Sequence, residues 1–149
     1  MKSEPDVYSI DDLAAKSPAM WEGCRNYTVR NYFRDSMEKG DLAFFHNSNS
    51  EPSGIIGIME ITSDAYPDPT QFDPNSHYFD AKSPLDAPRW LVRDVSFREK
   101  FNRTISLAEL RTIAGLEEMM VTRKGQRLSV MPVTEEEWRI VNALPGLRG

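Results

Sequence analysis

Between Ser63 and Arg89 the chain carries five of its ten prolines: Pro67, Pro69, Pro74, Pro84 and Pro88. Proline lacks an amide proton and fixes φ, so neither a regular helix nor an interior strand runs through such a stretch. The framework must come from the segments on either side of it. A loop this long inside a compact domain is uncommon, and is usually either functional or disordered. Tyr66, Phe72, His77, Tyr78 and Phe79 argue against disorder, because aromatic rings gain by packing. The stretch is expected to be an ordered excursion across the outside of a sheet.

The remaining elements are short and mixed. Three segments begin with a hydroxyl followed three residues later by an acid, the pattern of a reciprocal helix cap. Ser9 with Asp12 opens a helix carrying Ile10, Leu13 and Ala14, and Ser106 with Glu109 opens one carrying Leu107 and Leu110. Thr134 with Glu137 opens a third, carrying Trp138, Val141 and Leu144, which ends at Pro145-Gly146. A fourth helix is predicted from Thr28 to Lys39, since Val29, Phe33 and Met37 recur every four residues. Strands are predicted at Leu42–His46, Ile55–Thr62, Trp90–Phe97 and Leu128–Val133, each rich in β-branched or aromatic residues. Strands scattered among short helices, without βαβ alternation, indicate an α+β domain around a curved sheet or small barrel. The length of 149 residues and the absence of any linker are expected to give one domain over residues 1–149.

Composition narrows the function classes. Hydrophobic content is 40% and charged content 28%, as in soluble globular proteins. No apolar run approaches the roughly 20 residues of a membrane span, and the polar start is no signal peptide. One cysteine, Cys24, excludes an internal disulfide and a cysteine-rich zinc site. A reduced, cytoplasmic location without membrane association is the expectation. A net charge of −5 argues against coating nucleic acid by bulk electrostatics, so any such contact needs a local patch. Two windows without acids qualify: Gly23 to Arg34, with Arg25, Arg30 and Arg34, and Met119 to Thr134, with Arg123, Lys124 and Arg127. Either window alone is equally well read as a solvated face.

The first window adjoins the chain's most distinctive chemistry. From Trp21 to Asn31 lie two aromatic rings, two asparagine amides and two guanidiniums, with Glu22 the sole acid. Flat faces, edge donors and acceptors, and phosphate grips together suit a nucleobase on a strand. An enzyme is less well supported. Nothing positions His46 or His77 as a base for Cys24, and a lone cysteine is common in cores. No catalytic residue and no cofactor are therefore expected. The two histidines are 31 residues apart in sequence and lack a short-spaced ligand pair, so no metal is expected either.

An ordered set of motifs then resembles the EVE-domain proteins, the thymocyte nuclear protein family. The set is Lys2-Ser3-Glu4-Pro5, Trp21-Glu22-Gly23, Arg25-Asn26-Tyr27, Arg30-Asn31, Gly40-Asp41, Ala65-Tyr66-Pro67-Asp68, Arg127-Leu128-Ser129-Val130 with Pro132-Val133, and Glu137-Trp138. The resemblance implies a PUA-like fold, a mixed barrel-like sheet flanked by short helices and related to the YTH readers of methylated adenine. It also implies a non-catalytic binder of modified bases, with methylated or hydroxymethylated cytosine in DNA, or a modified RNA base, as ligand. The pocket it implies comprises Lys2, Ser3 and Glu4, then Trp21, Arg25, Asn26 and Tyr27, then His46, Asn47 and Ser48. The turn His46-Asn47-Ser48-Asn49 departs from the family's usual His-Ser pair.

Within that set, Trp21 is read as an open pocket wall in preference to plain core. Asn26 contacts ligand or caps a helix, and Glu4 meets a base edge or pairs with an arginine. Arg25 structures the pocket, against Glu4 or Glu22 as its internal partners. His46 is read first as a satisfied structural histidine, and Asn31 and Ser129 as structural. Arg30, Arg34, Arg123, Lys124 and Arg127 are the candidate contacts to the nucleic-acid backbone. A small-molecule, nucleoside-binding or protein-interaction module is the alternative function.

Overall fold

The computed structural model covers residues 1–149 and centres on a curled five-stranded sheet. Its strands are β1 (Lys2–Ser3), β2 (Ala19–Met20), β3 (Leu42–Asn47), β4 (Gly54–Ile61) and β7 (Asp94–Ser106), in the order β1-β3-β4-β7-β2. β1 runs parallel to β3, and the other neighbours are antiparallel. The short strands β5 (Tyr66–Pro67) and β6 (Leu91–Val92) pair separately, closing the proline-rich stretch at its base. Four helices flank the sheet: α1 (Ile10–Ala15), α2 (Tyr27–Asn31), α3 (Leu107–Leu110) and α4 (Glu135–Asn142). No helix is long and apolar enough to cross a membrane.

Alternation along the strands splits the core between the two faces of the sheet. Phe45, Met59, Ile61 and Val95 face α1 and α2, meeting Ile10, Leu13, Trp21, Val29 and Phe33. Phe44, Ile55, Ile58, Phe101 and Ile105 point the other way, onto Leu110, Leu116, Met119 and Val141. Phe44 stacks on Trp138 of α4 at 4.1 Å between ring centroids. Burying a phenylalanine as fully as Phe33 or Phe45 stabilises the fold by roughly 1.5–3 kcal/mol. The β4–β7 register shifts twice, between Ile55 and Gly57 and between Ile58 and Met59, irregularities of the kind that bend a strand. A Cβ at Gly57 would sit 2.3 Å from the Glu99 carbonyl oxygen, so only glycine lets the strands approach there.

The reciprocal caps form as predicted at Ser9 with Asp12 and at Thr134 with Glu137. Ser106 caps α3 through the Glu109 amide, while the Glu109 carboxylate turns to Arg103. The helix predicted over Thr28–Lys39 is shorter. It is α-helical only to Asn31, then widens into a π turn over Tyr32–Ser36 in which the Met37 N–H reaches the Tyr32 carbonyl. Buried Arg93 accounts for the early end, donating at 2.7 Å to the carbonyls of both Phe33 and Met37. The predicted strand at Trp90–Phe97 begins one residue late, breaks at Arg93 and runs on to Ser106. The segment Leu128–Val133 is no strand. Its link to the sheet is one backbone bond, from the Lys2 N–H to the Ser129 carbonyl at 2.8 Å.

Candidate functional site

The parallel register of β1 and β3 sets Lys2 beside His46 and Ser3 beside Asn47. The Ser48 amide donates to the Ser3 carbonyl at 2.8 Å, so Lys2, Ser3, His46, Asn47 and Ser48 gather at one end of the sheet. Glu4 joins them by accepting from the Asn49 amide at 2.6 Å, and no arginine pairs with it. The Ser3 hydroxyl donates to the Tyr8 carbonyl at 2.6 Å, folding the chain back over this corner. Lys2 Nζ donates to the Gln126 carbonyl, and burial lowers its pKa.

Four buried polar atoms in this corner have no hydrogen-bond partner: Tyr8 Oη, both imidazole nitrogens of His46, and Asn47 Oδ1. Unpaired buried polar groups are rare and costly, so such a cluster calls for a reason. His46 is therefore not the satisfied structural histidine the sequence suggested. Burial, with Met1's amino group and Lys2 close by, lowers its pKa to about 4 and keeps the imidazole neutral.

The aromatic segment is organised differently from the expectation. Trp21 is 8% exposed, belongs to the core and meets Phe45 edge-on at 5.8 Å. The indole is thus a packing element and not an open wall, because Phe45 and the α2 side chains need its area to close that face. Asn26 caps α2, its Oδ1 accepting from the Val29 amide at 3.2 Å. Asn31 is structural, holding Arg30. Tyr27 is the exposed ring of the segment, tilted against Trp90 at 4.9 Å.

Arg25 structures the site through Asp68, replacing the expected Glu4 or Glu22. Its Nη1 lies 2.9 Å from Asp68 Oδ2, and its Nε and Nη2 donate to the Tyr78 carbonyl at 3.1 and 2.8 Å. Burial opposes ionisation of Asp68, but hydrogen bonds from the Gly23 amide, Thr70 and Arg25 outweigh it and hold the carboxyl below its usual range. Gly23 has φ +82°, and a Cβ there would meet the Tyr78 ring at 2.5 Å. The proline-rich excursion is therefore clamped over the Trp21–Arg30 segment.

The two basic windows meet where Cys24 Sγ lies 3.9 Å from the Ser129 hydroxyl. Burial pushes the Cys24 thiol up to about 11, which leaves it poorly nucleophilic. Arg34 is paired bidentately with Asp35 at 2.9 Å, and Arg123 lies 3.7 Å from Glu118. Lys124 and Arg127 are exposed and their side chains make no internal hydrogen bond or ion pair. A cavity of about 540 Å³ runs along the outer edge of β3, lined by Lys2, Leu42, His46, Met119, Val130 and Trp138 among others. Trp21, Arg25, Asn26 and Tyr27 do not line it.

Residues 1–144 match the EVE domain. The chain belongs to the EVE domain family. Human thymocyte nuclear protein 1 is 41% identical over 97% of this chain and 72% of its own length. A crystal structure of a Pseudomonas putida protein superposes with a TM-score of 0.92 at 49% identity, over 96% of this chain and 95% of that one. A crystal structure of human THYN1 protein in complex with 5-methylcytosine-containing DNA superposes with a TM-score of 0.87 at 41% identity, over 95% of this chain and 92% of that one. The curled sheet with its few short helices is the PUA-like architecture these EVE structures share.

Sequence reasoning missed three residues that shape this EVE domain's site. Tyr8 carried no signal beyond being an aromatic near the start. Asp68 stood in a recognised motif, but its partner lies 43 residues away in sequence. Trp90 was assigned to a strand, whereas its indole is anchored to Asp80 Oδ2 at 2.7 Å and backs Tyr27.

Proposed function

We propose that this EVE domain is a non-catalytic reader of a modified base, with DNA carrying 5-methylcytosine as its first candidate ligand. The observation that carries the reading is the likeness, at 41% identity across 95% of the chain, to human THYN1 protein in complex with 5-methylcytosine-containing DNA. The corner between β1 and β3 supports it chemically. Cytosine offers an N4 amine that donates and ring atoms that accept; Asn47 Oδ1 is an unpaired acceptor, and the Tyr8 hydroxyl an unpaired donor. Lys2, Ser3, Glu4, His46 and Ser48 complete the pocket, with Arg25 holding its flank. The Trp21 indole is core, packed edge-on against Phe45, the residue before His46 on β3. Extracting a base costs a few kcal/mol, least from an already unpaired strand.

The test is a fluorescence-anisotropy titration with oligonucleotides, DNA and RNA, that differ only in modification of one base. A methyl group in an apolar pocket gives about tenfold discrimination. The oligonucleotide should be recovered chemically unchanged. Equal affinity for methylated and plain strands would falsify the reading.

The apolar cavity along β3 favours a second reading, a binder of a free nucleoside or other small molecule. Its volume of about 540 Å³ falls within the range of such sites. Thermal stabilisation by free nucleosides, independent of salt, would select this reading over the first.

A further inference from the structure

We propose that Arg30 is a stacking step for the nucleotide that flanks the read base, and not a phosphate contact. This rests on the reader proposal above. Arg30 is partly exposed and has no carboxylate partner. Its Nε and Nη2, the edge that grips a phosphate bidentately, both donate to Asn31 Oδ1 at 3.2 and 3.0 Å. Nη1 donates to the Arg89 carbonyl at 3.4 Å. The Nε–Nη2 side edge is thereby engaged, Nη1 and Nη2 keep one N–H each, and the faces of the guanidinium plane remain.

One face is covered. The Arg30 guanidinium carbon lies 4.8 Å from the centre of the Tyr27 ring. Tyr27 in turn leans on Trp90 at 4.9 Å, and the Trp90 indole is fixed by Asp80. Arg25 continues the series, 5.7 Å from the rings of both Trp90 and Tyr78. From Tyr78 the series runs through Arg25, Trp90 and Tyr27 to Arg30, and the outer face of Arg30 is where it ends. A nucleobase stacks on a guanidinium plane as it does on an aromatic ring. Asn31 and Tyr27 fix that plane in advance, so little side-chain entropy is lost when a base lands on it. The ligand class is a flanking base with its face exposed, of any identity, because every base has a π face.

The experiment uses single-stranded DNA with one 5-methylcytosine and an abasic site placed on its 5′ or 3′ side. For the wild-type protein, one of the two abasic strands should bind about tenfold weaker than the intact strand. Arg30→Lys keeps the charge but loses the plane. It should bind the intact strand about tenfold weaker and be indifferent to the abasic site, while still preferring methylated over plain cytosine. If Arg30→Lys keeps the wild-type penalty for the abasic strand, or if the wild type ignores both abasic sites, the stacking role is overturned. The reader proposal is judged separately, by the wild type's preference between methylated and plain intact strands.

Discussion

Asp68 and Arg25 form the ion pair that joins the proline-rich excursion to the aromatic segment. Asp68 is fully buried, and its Oδ2 takes both the Arg25 Nη1 at 2.9 Å and the Gly23 amide at 3.0 Å. Its other oxygen accepts from the Thr70 amide and hydroxyl. Removing one partner from such a pair leaves the other charge and two amides unpaired. Asp68→Ala should lower the urea-unfolding free energy by about 3 kcal/mol. A loss below about 0.5 kcal/mol would mean that the clamp is not energetically important.

His46 sets an acid limit on stability. Its pKa is about 4 in the folded protein, against 6.5 ordinarily, because burial disfavours the cation. Between those values the unfolded chain binds the extra proton, so this contribution is whole above pH 6.5 and is lost as pH falls toward 4. The loss amounts to roughly 3 kcal/mol. Melting temperatures measured from pH 7.5 to 4 should fall less steeply for His46→Gln than for the wild type. Parallel curves would show that His46 does not carry the effect.

The free cations should govern salt dependence. Arg127 is exposed and unpaired, whereas Arg34 is already neutralised by Asp35. Arg127→Gln is expected to reduce the slope of log binding constant against log salt by about one. Arg34→Gln should change it less. An equal effect of the two substitutions would place both residues on the nucleic acid.

Cys24 should be inert in the native state. With the thiol buried and its pKa at about 11, only about one molecule in a thousand carries a thiolate at pH 8. A disulfide reagent should label it only after denaturation. Rapid native labelling would require local opening of the Cys24–Ser129 contact.

The capped helices were legible because their signals are local: Ser9 and Asp12, or Thr134 and Glu137, recognise each other within one turn. Strands β3 and β4 and the start of β7 were legible from their apolar runs. The second half of β7 was not, because Arg98, Glu99, Lys100 and Arg103 interrupt the apolar pattern that marks a strand. In the fold each finds an opposite charge, on Glu60, Arg148, Asp11 and Glu109 respectively. Leu128–Val133 misled in the opposite way, since its apolar residues fill the core from an irregular segment. The family motifs named residues of β1 and β3, which the parallel register sets beside one another. What they did not reveal was which aromatic was spent on packing. Trp21 and Trp90 both ended up buried, and Tyr27 was left as the exposed ring.

Gln71 shows what the prolines are for. Its buried amide donates to the Asp68 and Trp90 carbonyls and accepts from the Ser83 hydroxyl and the Trp90 N–H, using both ends of the group twice. A stretch too rigid to form ladders of its own is thereby knotted around one side chain. Deleting part of it would not simply shorten a decoration: the knot would loosen, and Asp68 and Trp90 would shift together, taking the floor beneath Arg25 and Arg30 with them.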